Sequence, residues 1–158
     1  MKTNIIRFLA IITLAIAFAA CNSTDNKDIA MPEILPVGEA TAPLNCQQYP
    51  RGGAIFFDYL FTDDKELGAY NIEIHNDFDH HTHSTEEGEC EHDETENEPV
   101  NPWILNKDYP IPAGSTSYEA KLTIPVPTDV DTGEYHFMIR LTDRSGWQQI
   151  KSVSIIVI

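Results

Sequence analysis

The chain has 158 residues, 42% of them hydrophobic, and a formal net charge of −15. That length makes one domain with a core that needs no metal or disulfide to close it. The 25 Asp and Glu against 10 Lys and Arg exclude nucleic acid and an anionic membrane surface as electrostatic partners, since few cations are left to neutralise phosphates.

Lys2 and Arg7 flank the start of an apolar run from Ile5 to Phe18 that closes in Ala19 and Ala20. This is a secretory signal layout over residues 1–20, too short for a stable spanning helix. Phe18-Ala19-Ala20-Cys21 resembles a bacterial lipobox, although Leu is the usual residue where Phe18 stands. The resemblance implies that Cys21 is lipid-modified and becomes the first residue. Ordinary signal cleavage, leaving Cys21 a thiol, is the alternative. Residues 21–31 are polar and aperiodic after the cysteine and read as a tether. The domain is expected over 32–158.

Cys46 and Cys90 then remain as an even pair in an oxidising compartment. A disulfide between them closes a loop of about 45 residues, worth ~4 kcal/mol on the chain-entropy model. Thiolate metal ligation is the alternative.

No convincing helix of 10 or more residues follows the signal. Residues near Pro32–Val37 and Leu44 can form edge strands. Ala54–Phe61, opened by Gly52-Gly53 and closed by Asp63-Asp64, has the composition of a central strand. In Ala69–His75, Tyr70, Ile72 and Ile74 alternate with Asn71, Glu73 and His75, which predicts a half-buried strand. Ser117–Ile124 alternates in the same way and is stopped by Pro125 and Pro127. Tyr135, Phe137, Ile139 and Leu141 alternate with His136, Met138 and Arg140, and the turn at Asp143–Gly146 leads into Trp147–Val157.

Strands without helices predict an all-β, immunoglobulin-like β-sandwich of about seven strands. Asp131-Thr132-Gly133-Glu134-Tyr135 is similar to a tyrosine corner, which labels the runs above B, C, E, F and G in order. Neither B nor F contains Cys, so the antibody-type bridge is excluded.

Between C and E the pattern breaks. Residues 77–98 hold ten carboxylates with no Lys or Arg, within an insertion expected over 77–101. His80, His81, His83 and His92 lie among them, and His75 just precedes them. So acidic and apolar-poor a segment repels itself, and a cation offsets that repulsion. Imidazole suits Zn²⁺, Cu²⁺ and Ni²⁺, with carboxylate completing the set. Strands C and F are antiparallel neighbours in this fold, so His75 at the end of C meets His136 at the start of F, both on the outward face. The expected site is His75 and His136, completed by His80, His81 or His83, with Asp77 or Asp79 as a ligand or as a group orienting an imidazole. Zinc is favoured, with copper or nickel as alternatives. Calcium, on Asp63, Asp64, Asp129 and Asp131, is the weaker expectation, because those residues are ordinary turn formers. The bland alternative is a solvated acidic loop with exposed strand histidines.

Nucleophile elbow, phosphate loop and His-Glu-x-x-His patterns do not occur, so no enzyme is expected. The runs Asn45–Gly52, Tyr70–His83, Val100–Trp103 and Gly133–Asp143 resemble a family of Bacteroidetes lipoproteins with an immunoglobulin-like domain of unknown function. The resemblance implies the fold and an outer-membrane location, periplasmic or surface-facing, and implies no activity. Two readings follow. One is a lipoprotein that sequesters, buffers or delivers a transition metal and meets the membrane through its lipid anchor only. The other is a non-catalytic adhesion or interaction module whose partner is a surface protein or glycan.

Overall fold

A computed structural model describes residues 27–79, Thr85, Cys90 and 98–158. The lipobox with Cys21, and His80, His81, His83 and His92, lie outside the described residues. Eight strands are present among those described: β1 (Glu33–Leu35), β2 (Gln47–Tyr49), β3 (Ala54–Thr62), β4 (Leu67–Asn76), β5 (Leu105–Pro110), β6 (Ser117–Pro125), β7 (Gly133–Asp143) and β8 (Gln148–Val157). They form two sheets, β1-β3-β6 and β2-β8-β7-β4-β5. This is an all-β sandwich of immunoglobulin type, with β3, β4, β6, β7 and β8 in the places expected of B, C, E, F and G.

The alternating apolar residues of the two sheets meet in one core. Ile55, Phe57, Tyr59 and Phe61 of β3 face Tyr70, Ile72 and Ile74 of β4 and Tyr135, Phe137, Ile139 and Leu141 of β7, all buried. Phe57 is the hub. Its ring lies 6.2 Å from Tyr70, 5.9 Å from Phe137 and 5.3 Å from Tyr59. The Tyr135 hydroxyl donates to the Asp131 carbonyl at 2.8 Å, four residues upstream, and accepts from the buried Trp103 N–H at 3.3 Å. One tyrosine thus ties the start of β7 to the segment before β5.

Strand β5 is missing from the expected set. Its residues, Leu105-Asn106-Lys107-Asp108-Tyr109-Pro110, are polar and mostly exposed, because this edge strand pairs with β4 alone. The insertion therefore connects β4 to β5, neighbours in one sheet, rather than running directly from C to E. Strand β3 is central in its sheet, yet its outer face leaves Phe56 69% exposed.

Burial sets an alkaline limit on stability. Desolvation pushes the Tyr49 and Tyr59 hydroxyls from 10.0 up to about 12, and the neighbouring Tyr49 adds to the rise at Tyr59. Below pH 10.0 both phenols are neutral, folded or unfolded. Above it the unfolded chain loses these protons first, so their contribution to stability falls as pH rises and is gone past about 12. Phenolate absorbance from these two residues is expected only near that upper limit or together with loss of the circular dichroism signal. Phenolates of Tyr49 and Tyr59 appearing near pH 10 in the intact fold contradict the burial argument.

Candidate metal centre

The register of β4 against β7 pairs His75 directly with His136, and β7 against β8 pairs His136 with Ser154. The two imidazoles meet edge to face with ring centroids 5.3 Å apart. Both lie on the face of the five-stranded sheet that points away from the core, as alternation requires. The bland alternative of exposed strand histidines does not hold for His136, which is only 2% exposed.

Described residues of the insertion, Asp77, Thr85 and Cys90, are tied to this sheet. The Asp77 N–H donates to the Glu134 carbonyl at 2.9 Å, and the Thr85 N–H donates to the Ser152 carbonyl at 3.0 Å. Ser152 N–H returns a bond to Thr85 Oγ1 at 2.9 Å. Cys90 is joined to Cys46 by a disulfide, and the Cys46 N–H donates to the Ser154 carbonyl at 2.8 Å, fixing the bridge beside β8. The segment also buries apolar surface, contrary to its composition. Phe78 is buried, its ring 5.3 Å from Tyr135 and perpendicular to it. It packs over Gly133, where a Cβ would stand 2.8 Å from Phe78 Cε1 and where φ is +140°. Glycine at 133 is what lets the insertion start inside the core.

A carboxylate stands beside each imidazole. His136 Nε2 lies 3.3 Å from Asp77 Oδ2, and His75 Nδ1 lies 3.2 Å from Glu73 Oε1. A carboxylate on one ring nitrogen fixes tautomer and orientation and raises the basicity of the other nitrogen, the arrangement found behind metal-binding histidines. Nδ1 of His136 and Nε2 of His75 are the nitrogens turned away from these two carboxylates. Two imidazoles bound tetrahedrally at ~2.05 Å put their ring centroids ~5 Å apart, and 5.3 Å matches that separation. Of the two predicted carboxylates, Asp77 is the one that lies beside an imidazole. Glu73 was missed from sequence. Its signal was present, since it stands two residues before His75 on the same face. Asp79 is exposed just beyond Phe78.

Among the described residues, one trio brings its donor atoms within 4.8 Å of one another: Asp28, Asp63 and Asp64. The described donors around His75 and His136 supply a pair, and a third donor must come from elsewhere. The acidic trio lies at the other end of the sandwich and is held by the fold itself. Asp28 accepts from Ala30 N–H and Ser145 Oγ, and Asp63 Oδ1 accepts from the N–H groups of Lys65 and Glu66. Asp131 Oδ2 accepts from the N–H groups of Val100 and Asn101, and Asp129 offers its backbone carbonyl to Asn101. These carboxylates act as turn and loop pins.

The fold and the paired histidines define an immunoglobulin-like β-sandwich with a covered polar face. The chain belongs to the family described as a domain of unknown function (DUF4625), whose family model matches residues 19–158. No curated protein matches it.

Proposed function

We propose that this protein is a cell-envelope lipoprotein, anchored through Cys21, that binds a divalent transition metal for sequestration, buffering or delivery. Zinc is the favoured ion, with copper or nickel next. The observation that carries the reading is the pair His75 and His136, directly opposed on adjacent strands, each imidazole backed by a carboxylate. The ring separation suits a tetrahedral ion. His80, His81 and His83, which the sequence puts between Asp77 and Thr85, are the candidates for the third imidazole. The ten carboxylates of the insertion favour a cation near this end. The lipobox resemblance and the polar tether support an outer-membrane address, and the likeness to Bacteroidetes lipoproteins agrees with it. The reading is of a non-catalytic protein.

Metal analysis of protein purified without an affinity tag, followed by calorimetric titration with Zn²⁺, tests this. The expected result is one tight site per chain that is lost in His75→Ala/His136→Ala. An unchanged stoichiometry and affinity in that variant removes the sheet-anchored site. A wild-type chain that binds no metal at micromolar concentration, on the order of a −8 kcal/mol interaction, favours an adhesion or interaction module instead.

A further inference from the structure

The two ends of the sandwich differ in chemistry, and the chain reaches the domain at one of them. Residues 27–32 run beside the β7–β8 hairpin before entering β1. Asp28 Oδ2 accepts from Ser145 Oγ at 3.0 Å, and the Trp147 indole N–H donates to the Asp28 carbonyl at 3.1 Å. Leu67 pairs with Asp143 at this end, whereas His75 pairs with His136 at the other. The ten residues of β4 separate the ends by ~30 Å.

Three large apolar side chains stand out at the hairpin end: Ile29 is 77%, Met31 60% and Trp147 41% exposed. Their charged neighbours are mixed in sign, with Arg144 on Glu66 at 3.3 Å and Lys65 on Asp64 at 3.8 Å. The far end is different. Val100 and Ile104 are exposed there too, but the insertion that leaves β4 at that end carries ten carboxylates and no Lys or Arg. An anionic lipid surface repels a run of ten carboxylates, whereas the acids of the hairpin end, Asp28, Asp63, Asp64 and Glu66, stand beside Lys65 and Arg144.

The length of chain outside the docked part decides the occupant. Only seven peptide steps separate Cys21 from Asp28, which reach ~25 Å at most when fully extended. A lipid on Cys21 therefore holds the hairpin end at high effective concentration next to the bilayer. Tryptophan with aliphatic neighbours is the composition that settles at a membrane–water interface, because the ring is apolar and its N–H is polar.

We propose that Ile29, Met31 and Trp147 rest on the lipid surface that anchors Cys21, so that the domain stands with its His75–His136 end directed away from the membrane. The proposal rests on the lipoprotein reading and not on metal binding. It adds a protein contact to the lipid anchor and gives the domain one orientation.

The two tryptophans make it testable. Trp103 is buried, its ring 6.3 Å from Tyr135 toward the far end. Trp147 is the exposed one. The full-length chain, produced in a lipidating bacterial host, is reconstituted into phosphatidylethanolamine–phosphatidylglycerol vesicles whose acyl chains carry bromine. Mass spectrometry records the acyl groups on Cys21. The expected result is quenching of tryptophan fluorescence in the wild type, lost in Trp147→Phe. Ile29→Asp/Met31→Asp keeps both tryptophans and is also expected to lose the quenching, which guards against a folding defect in the first variant. A lipidated wild type whose fluorescence bromine leaves unquenched overturns the docking while the anchor stands. Cys21 without acyl groups overturns the anchor reading and the docking together.

Discussion

His136→Ala lowers the affinity for Zn²⁺ by more than the roughly 10–100-fold that loss of an orienting partner costs. This residue is the fixed point of the proposed site. It sits on β7 with a paired strand on either side, facing His75 on one and Ser154 on the other. It is 2% exposed, so its imidazole has little rotational freedom to lose when an ion arrives. Alanine removes a donor and also the ring against which Asp77 is buried, so the thermal midpoint of the metal-free variant falls as well. Asp77→Asn separates the two effects. It keeps the imidazole and weakens only its orientation, so the expected loss is within about 10–100-fold. Glu73→Gln costs less again, because the Glu73 side chain is 29% exposed and water screens its pairing with His75. Calorimetric titration of the three variants is expected to rank them His136→Ala, Asp77→Asn, Glu73→Gln. Equal affinities across the series would remove His136 from the site.

Cys46→Ser/Cys90→Ser is expected to lower the free energy of unfolding by ~4 kcal/mol, with 2–5 kcal/mol as the usual range for a native bridge. The sequence separation of 44 sets the size of the chain-entropy effect. The local backbone adds to the case. Cys46 has φ 61°, a conformation that non-glycine residues rarely adopt. Its N–H on Ser154 and its bridge to Cys90 hold it there. Serine keeps the conformational cost and loses one of the two restraints. The bridge also ties Cys90 of the insertion to the sheet, as the hydrogen bonds of Asp77 and Thr85 do for theirs. Metal affinity is therefore expected to fall in the same variant although neither cysteine is a ligand. Urea denaturation measures the first effect and zinc titration the second. A denaturation midpoint equal to wild type refutes the stabilising role. Lost stability with unchanged affinity would mean that Asp77 and Thr85 hold the insertion without the bridge.

Much of this architecture can be read from residue order. Alternation in Ala69–His75, Ser117–Ile124 and Tyr135–Leu141 is a local property of a strand with one wet face, and each of these runs is a strand. The motif ending in Tyr135 makes a local hydrogen bond to Asp131, so it too is legible in one short stretch. Strand β5 was not legible, since its polar residues are held in the sheet by pairing with β4 and not by an apolar face of their own. Phe78 was hidden in the same way: its place depends on the space above Gly133, which composition does not contain.

The sequence by itself determined the sandwich and the residue types at its polar end: the acidic run, the histidines within it, and the antiparallel neighbours that bring His75 to His136. Both follow from short-range periodicity and from the restricted ways two sheets can pack. Only the tertiary structure decided that His136 is buried, that Glu73 and Asp77 each stand beside an imidazole, and that Trp147 and Ile29 share the end where the chain arrives. Burial depends on what covers a face. Asp77, Thr85 and Cys90 belong to a segment whose own composition gives no reason to fold, and they are tied down by bonds to Glu134, Ser152 and Cys46 that lie far away in the chain.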